Sequence, residues 1–179
     1  MKILTTPNPF LRKKARGLKT ITKETRREVA EMIKTLKKQT NPEGVGLAAV
    51  QVGIDKQIFI LLLDKPYVFV NPKVIKKSKE YFSTVHKKAS QRWLEGCLSI
   101  PKIWGFVDRP LTVTLKYLTF DPLDQESKLT AITKEFTDIE SAYVQHETDH
   151  LNGILFTDHI LEQGGEILEE TKTGLVKIN

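Results

Sequence analysis

The chain is poor in cysteine, with Cys97 the one thiol in 179 residues. That excludes an internal disulfide framework and fits a reducing compartment. It leaves one sulfur for a metal, for chemistry, or for packing as a small buried hydrophobe. Long apolar runs are missing as well: none approaches the roughly 18 residues needed to span a bilayer, so no membrane protein is expected. No Ser-, Gly- or Pro-rich linker and no internal repeat divides the sequence, so residues 1–179 read as a single domain. Acidic residues are absent before Glu24, where Lys2, Arg12, Lys13, Lys14, Arg16, Lys19 and Lys23 accumulate. Such a start raises the question of an organellar transit peptide, but Pro7 and Pro9 oppose the amphipathic helix it would need. With no apolar segment for secretion either, the expected location is cytoplasmic.

What is present is an ordinary globular composition, 40% hydrophobic and 28% charged. The net charge of +6 and a pI near 9.3 suggest a polyanionic partner without implying a nucleic-acid enzyme.

The stretch the rest serves is Gln145-His146-Glu147-Thr148-Asp149-His150-Leu151, with the pattern H-E-x-x-H. On a helix, positions i and i+4 share a face, so His146 and His150 can aim two imidazoles at one metal while Glu147 sits beside it. Thr137 and Glu140 form a candidate capping box. Ile139, Ala142, Tyr143, His146, Glu147, His150 and Leu151 then recur at helical spacing until Gly153. The motif alone is only suggestive, since a histidine on an apolar face is often a core residue.

Residues 22–38 predict an amphipathic helix, with a Thr25–Glu28 capping box and an apolar stripe of Val29, Met32, Ile33 and Leu36. After Asn41-Pro42-Glu43-Gly44 comes Gly44-Val45-Gly46-Leu47-Ala48-Ala49-Val50-Gln51, apolar except for Gln51. It lacks the G-K-[ST] and G-x-G-x-x-G spacings of nucleotide-binding loops. The Gln51 amide must find a partner or a task; pinning a turn is the plainer one. Residues 58–63 and 67–70 read as strands, Asn71-Pro72 as a turn, and the Lys-rich residues 76–92 as a surface loop or hairpin in which His86 is solvated. Glu95-Gly96-Cys97-Leu98-Ser99 holds the thiol. Cys97, His146 and His150 would supply the three protein ligands usual in a catalytic divalent-metal site. Residues 112–117 alternate as a half-buried strand with Val113, Leu115 and Tyr117 on one face, and 129–136 is a candidate partner. The tail from Glu162 is compatible with either a helix or an edge strand.

Together and in this order, the segments 44–51, 95–99 and 145–151 resemble the three signature motifs of peptide deformylases, and Pro9-Phe10-Leu11-Arg12 is similar to that family's start. The resemblance implies an α+β fold, with antiparallel β-sheets packed around a central H-E-x-x-H helix plus the N-terminal amphipathic helix. It implies that Cys97, His146 and His150 bind the metal, that Glu147 is the general acid/base, and that the Gln51 amide and the Leu98 N–H stabilise the oxyanion. It further implies removal of the N-formyl group from the initiator methionine of nascent polypeptides, with one divalent ion, natively Fe²⁺, or Zn²⁺, Ni²⁺ or Co²⁺ as substitutes. Candidates for the substrate pocket are Val45, Gly46, Ile139, Ala142 and Tyr143, each equally explained as core packing. A Glu95–Arg109 pair is a candidate support for the Cys97 loop.

The sequence departs from the family pattern in its longer segments before Glu95 and between Arg109 and Ile139. It also departs in Trp104, where many members carry an arginine near the substrate backbone. Expected partners are N-formyl-methionyl peptides and, through residues 76–92, the ribosome surface; a monomer is expected. Two other readings remain open. One is a zincin protease taking its third ligand from Asp158, His159 or Glu162. The other is a metal-stapled module that docks on ribosomal RNA without catalysis.

Overall fold

The apolar run Ile58–Leu62 forms a strand (β2) with both faces buried, which is why it shows no alternation. Its odd and even residues serve two different helices. Ile58 and Ile60 join Leu47, Val68 and Val70 against Val29, Met32, Ile33 and Leu36 of helix α1 (Lys23–Leu36). Phe59 and Leu61 join Ala48, Phe69, Val113, Leu115, Tyr117 and Phe136 against Val144 and Leu151 of helix α3 (Asp138–Leu151). Burying each such apolar side chain contributes about 1.5 to 3 kcal/mol. The two helices thus clasp one sheet between them.

These observations come from a computed structural model that describes residues 1–40, 43–86, 93–124 and 126–178. The architecture is α+β. The first sheet comprises β1 (Gly46–Ala48), β2, β3 (Pro66–Lys77), β6 (Thr112–Thr119) and β7 (Thr130–Thr137), antiparallel in the order β1-β2-β3-β6-β7. The second runs β4-β5-β8-β9 and comprises β4 (Leu94–Cys97), β5 (Ile100–Phe106), β8 (Ile167–Thr171) and β9 (Gly174–Lys177). Short helix α2 (Phe82–Val85) follows β3, and α4 (Phe156–Glu162) seals the second sheet. There Phe156 and Ile160 meet Leu11, Cys97, Ile100 and Val107. Among the described residues no helix is long and apolar enough to cross a membrane.

Several expectations are corrected by tertiary structure. Neither predicted capping box forms. The N-cap of α1 is Thr22, whose hydroxyl accepts from the Thr25 N–H, while Glu28 pairs with Lys56, just before β2. Thr137 makes no side-chain cap because its hydroxyl meets Thr112 across the β6–β7 ladder at 3.0 Å. Asn71-Pro72 is a bulge inside β3 and not a turn: Asn71 has φ +50°, and the register against β6 shifts between Val70 and Lys73. Its side chain is occupied elsewhere, accepting from the Leu18 N–H at 2.8 Å and donating to the Leu18 carbonyl at 2.6 Å. Lys76 and Lys77 belong to the end of β3, and residues 87–92 of the predicted loop lie outside the described residues. His86 is half-buried, 3.7 Å from Asp138. The tail forms the β8–β9 hairpin, docked on β5 through Trp104–Leu168 and its neighbours.

Candidate metal centre and active site

Helix α3 lies across the sheet with its His146–Glu147–His150 face towards the second sheet. It ends where Gly153 takes φ +74°; a Cβ there would also come within 2.4 Å of the Arg12 carbonyl, so only glycine fits. From the opposing side, β4 delivers Cys97 at a register irregularity between Gly96 and Cys97. The Cys97 sulfur and one ring nitrogen from each of His146 and His150 lie within 4.8 Å of one another. The sulfur is 3.2 Å from His150 Nε2.

The surroundings prepare these donors. Burial alone would raise the Cys97 thiol, but the charge of His150 and hydrogen bonds from His146 and His150 outweigh it and bring it down to about 5. His146 Nδ1 lies 2.9 Å from Glu95 Oε2. Burial would raise the Glu95 carboxyl, yet the Arg109 charge and the His146 hydrogen bond hold it down at about 2. As a carboxylate it only accepts, so His146 Nδ1 carries the proton and leaves Nε2 free for the cluster. Arg109, 4% exposed, is itself shared: it meets both Glu95 oxygens and, at 2.8 Å, Asp149 Oδ2, which also takes His159 Nε2 at 2.9 Å.

A thiolate and two imidazoles form a soft, borderline donor set suited to Fe, Co, Ni or Zn. The residues fit such an ion, since Glu147 Oε2 lies buried beside them with no hydrogen-bond partner. Burial pushes the Glu147 carboxyl up to about 7, the neighbouring imidazoles offsetting only part of the shift. Its other oxygen abuts Gly46, where a Cβ would approach to 2.3 Å. Gln51 sits in a short 3-10 turn (Ala49–Val52). Its Oε1 accepts from the Ala48 N–H at 2.8 Å, and its Nε2 donates to Ser99 Oγ at 3.1 Å and points at the Cys97 sulfur at 3.5 Å. The amide therefore both pins a turn and presents its NH₂ group to the cluster. A cavity of about 240 Å³ opens over Cys97, His146, Glu147 and Gln51.

The polypeptide deformylase family model matches residues 1–165 of this chain. The chain belongs to the polypeptide deformylase family. It is 37% identical to the peptide deformylase of Rhizobium meliloti over 160 residues, covering 86% of this chain and 81% of that protein. A Plasmodium falciparum peptide deformylase solved in complex with an inhibitor is similar in fold, with a TM-score of 0.72, 32% identity and 88% of each chain covered. A peptide deformylase of Arabidopsis thaliana superposes with a TM-score of 0.74 at 28% identity, covering 91% of this chain and 83% of that one.

Of the candidates for the substrate pocket, Val45, Gly46, Ala142 and Tyr143 line the cavity, as does Leu98. Ile139 does not. It lies a further turn towards the start of α3, 42% exposed, where the helix has just left β7 and passed the cavity wall. Asp158, His159 and Glu162, the third-ligand candidates of a zincin, stand apart from the cluster. Asp158 binds Arg12 and the Leu155 N–H, while His159 lies between Asp149 and Glu162. Sequence reasoning missed Asp149 and Ser99 as supports and Trp93 as a lining residue. The signal for Asp149 was available: at i+3 from His146 it had to share a side of the helix with the metal-binding face.

Proposed function

We propose that this chain removes the N-formyl group from the initiator methionine of nascent polypeptides. The observation that carries the proposal is the convergence of Cys97, His146 and His150 with a buried Glu147 and the Gln51 amide at the floor of one cavity. Cys97 Sγ and the Nε2 atoms of His146 and His150 would hold one divalent ion, Fe²⁺ natively, with Zn²⁺, Ni²⁺ or Co²⁺ as substitutes. When bound, such an ion supplies Lewis acidity towards the formyl oxygen and acidifies a water.

The protein supplies the rest. Glu147 takes a proton from the water that attacks the formyl carbon and gives it to the departing amine as the C–N bond breaks, yielding formate and a free α-amino group. Such proton transfers are worth typically 10²- to 10⁴-fold, and the raised carboxyl of Glu147 suits a group that must both take and release a proton. Gln51 Nε2 and the Leu98 N–H donate to the oxygen as it becomes negative, each worth on the order of 3 kcal/mol by analogy with measured oxyanion donors. Gly46 and Leu98 close over the formyl carbon, leaving room for hydrogen and not for a methyl group. Val45, Ala142 and Tyr143 take the methionine side chain.

The experiment is hydrolysis of a formyl-Met peptide beside its acetyl-Met and internal-bond analogues, with Gln51→Ala as a control. The formyl substrate should react far faster, and Gln51→Ala should lower turnover while keeping the metal. Equal formyl and acetyl rates, or full activity in a metallated Gln51→Ala protein, would overturn the assignment. A lone thiol that must stay reduced suits action in the cytoplasm, and the basic strand end at Lys76 and Lys77 suits contact with ribosomal RNA. That contact should weaken steeply with salt in co-sedimentation.

A further inference from the structure

Strand β9 closes one end of the second sheet, and its outer edge pairs with nothing among the described residues. Natural edge strands are commonly blunted by a proline, a bulge or a charge set in the way of a neighbour. Here the stretch from Gly174 to Ile178 holds no proline and runs beside β8 without a register shift. Leu175, Val176 and Ile178 are 44%, 47% and 53% exposed, and the one charge, Lys177, is turned to Glu166 of its own chain at 2.8 Å.

The ladder to β8 decides which backbone groups are left over. The Ile178 N–H donates to the Ile167 carbonyl at 3.0 Å, Val176 lies opposite Glu169, and Gly174 lies opposite Thr171. Bonded and non-bonded pairs alternate along an antiparallel ladder, so Gly174, Val176 and Ile178 turn their N–H and C=O groups towards β8. Leu175 and Lys177 turn theirs outwards.

Those outward groups are self-complementary. A second β9 laid alongside antiparallel, with a two-fold axis at Val176, sets Leu175 of each copy opposite Lys177 of the other, and every outward N–H then meets an outward C=O. The side chains suit the same register. Val176 meets Val176 on the axis, and Ile178 of one copy lies opposite Gly174 of the other, where a Cβ would meet nothing within 4 Å. On the other face of the sheet, Leu175 stands beside Glu170 of its own β8. Lys177 of the second copy joins that row two strand spacings from Glu170, about 9.5 Å between backbones, a gap that the two side chains together span. Opposite charges therefore face each other twice across the junction.

We infer that β9 is the docking edge for a second copy of this chain, the two second sheets joining through Leu175, Val176 and Lys177 into one continuous sheet. The contact is isologous and closes on itself, so it yields a dimer and not a fibre. A junction one short strand long is smaller than a standard interface of about 1,600 Å², so the dimer exchanges with monomer. The inference goes beyond the deformylase reading and does not depend on it, and it departs from the monomer expected from sequence.

The test is sedimentation velocity of the metallated protein from about 1 to 300 µM. The average mass should rise towards that of a dimer with concentration. Leu175→Pro removes an outward N–H and leaves the ladder to β8 intact, and Val176→Lys sets two like charges face to face on the axis. Each should weaken the dimer by roughly 10-fold or more with the far-ultraviolet circular dichroism unchanged. The register has its own readout. Val176→Cys should form a covalent dimer with diamide as oxidant, its two Cα atoms facing at about 4.5 Å, whereas Leu175→Cys, displaced along the strand from its own counterpart, should not. A single monomeric species over the whole range, a dimer undiminished in both Leu175→Pro and Val176→Lys, or equal cross-linking of the two cysteine variants overturns the inference.

Discussion

The Nδ1–H of His146 donates to Glu95 Oε2 across 2.9 Å, and the Arg109 guanidinium donates to that same oxygen at 3.0 Å and to Oε1 beside it. The orientation of one imidazole in the cluster is therefore set by an ion pair whose side chains are 5% and 3% exposed. That pair is tied in turn to Asp149 and His159.

Disturbing this support should separate metal affinity from fold. Glu95→Gln keeps the shape but weakens the hold on His146, and metal affinity should fall by about 10- to 100-fold, measured by competition with a chelator. Arg109→Met strands Glu95 and Asp149 without their cation. Its unfolding free energy in urea should drop by about 3 to 5 kcal/mol.

Cys97→Ala should abolish stoichiometric metal binding, because two imidazoles alone leave the donor set one short. Elemental analysis of the purified variant checks this. A retained equivalent with unchanged affinity would mean that Cys97 only fills space.

Glu147→Gln should keep the metal and lose turnover by roughly 10² or more, since an amide cannot take the proton. The metal-free protein offers a second readout. The folded Glu147 carboxyl is raised from 4.5 to about 7, so the unfolded state binds fewer protons between those values. Wild-type stability contributed by this group is present below pH 4.5 and is lost as pH rises through 7. Relative to wild type, Glu147→Gln should gain stability over that window by on the order of 3 kcal/mol and level off above it, seen in urea unfolding across pH.

Gly46→Ala places a methyl group 2.3 Å from the Glu147 carboxylate, so either that carboxylate or β1 must shift. Turnover should fall by roughly 10²-fold or more, as for other displaced catalytic groups, with metal content retained. A variant with full activity would show that the strand gives way harmlessly.

Much of this site was legible because helical spacing is local. His146, Glu147 and His150 share a face by geometry alone, and the stripe of Val29, Met32, Ile33 and Leu36 announced α1 for the same reason. The strict alternation of Val113, Leu115 and Tyr117 marked β6, all three being buried. What escaped depended on partners remote in sequence. Glu28 looked like a cap until Lys56 claimed it, and Thr137 until Thr112 did. Asn71-Pro72 has the composition of a turn, but the peptide at Leu18 engages the Asn71 side chain and turns the dipeptide into a bulge. Ile139 continues the periodicity of α3 correctly, yet periodicity fixes only the direction around a helix; how far along it the cavity extends is set by the sheet it crosses.

Residues 4–18 bear on how the molecule opens. The amides of Leu4, Thr6 and Ala15 donate to the carbonyls of Gln51, Ser99 and Leu151, one in each of the three segments that build the site. Arg16 accepts from Gln57, and Leu18 is bound by Asn71. All of those partners follow the arm in sequence, and the last of them is Leu151. The arm is therefore completely paired only when all three of those segments are in place around it. In hydrogen exchange, the amides of Leu4, Thr6 and Ala15 should then report global unfolding and not local fraying, although they lie far ahead of the catalytic helix in sequence.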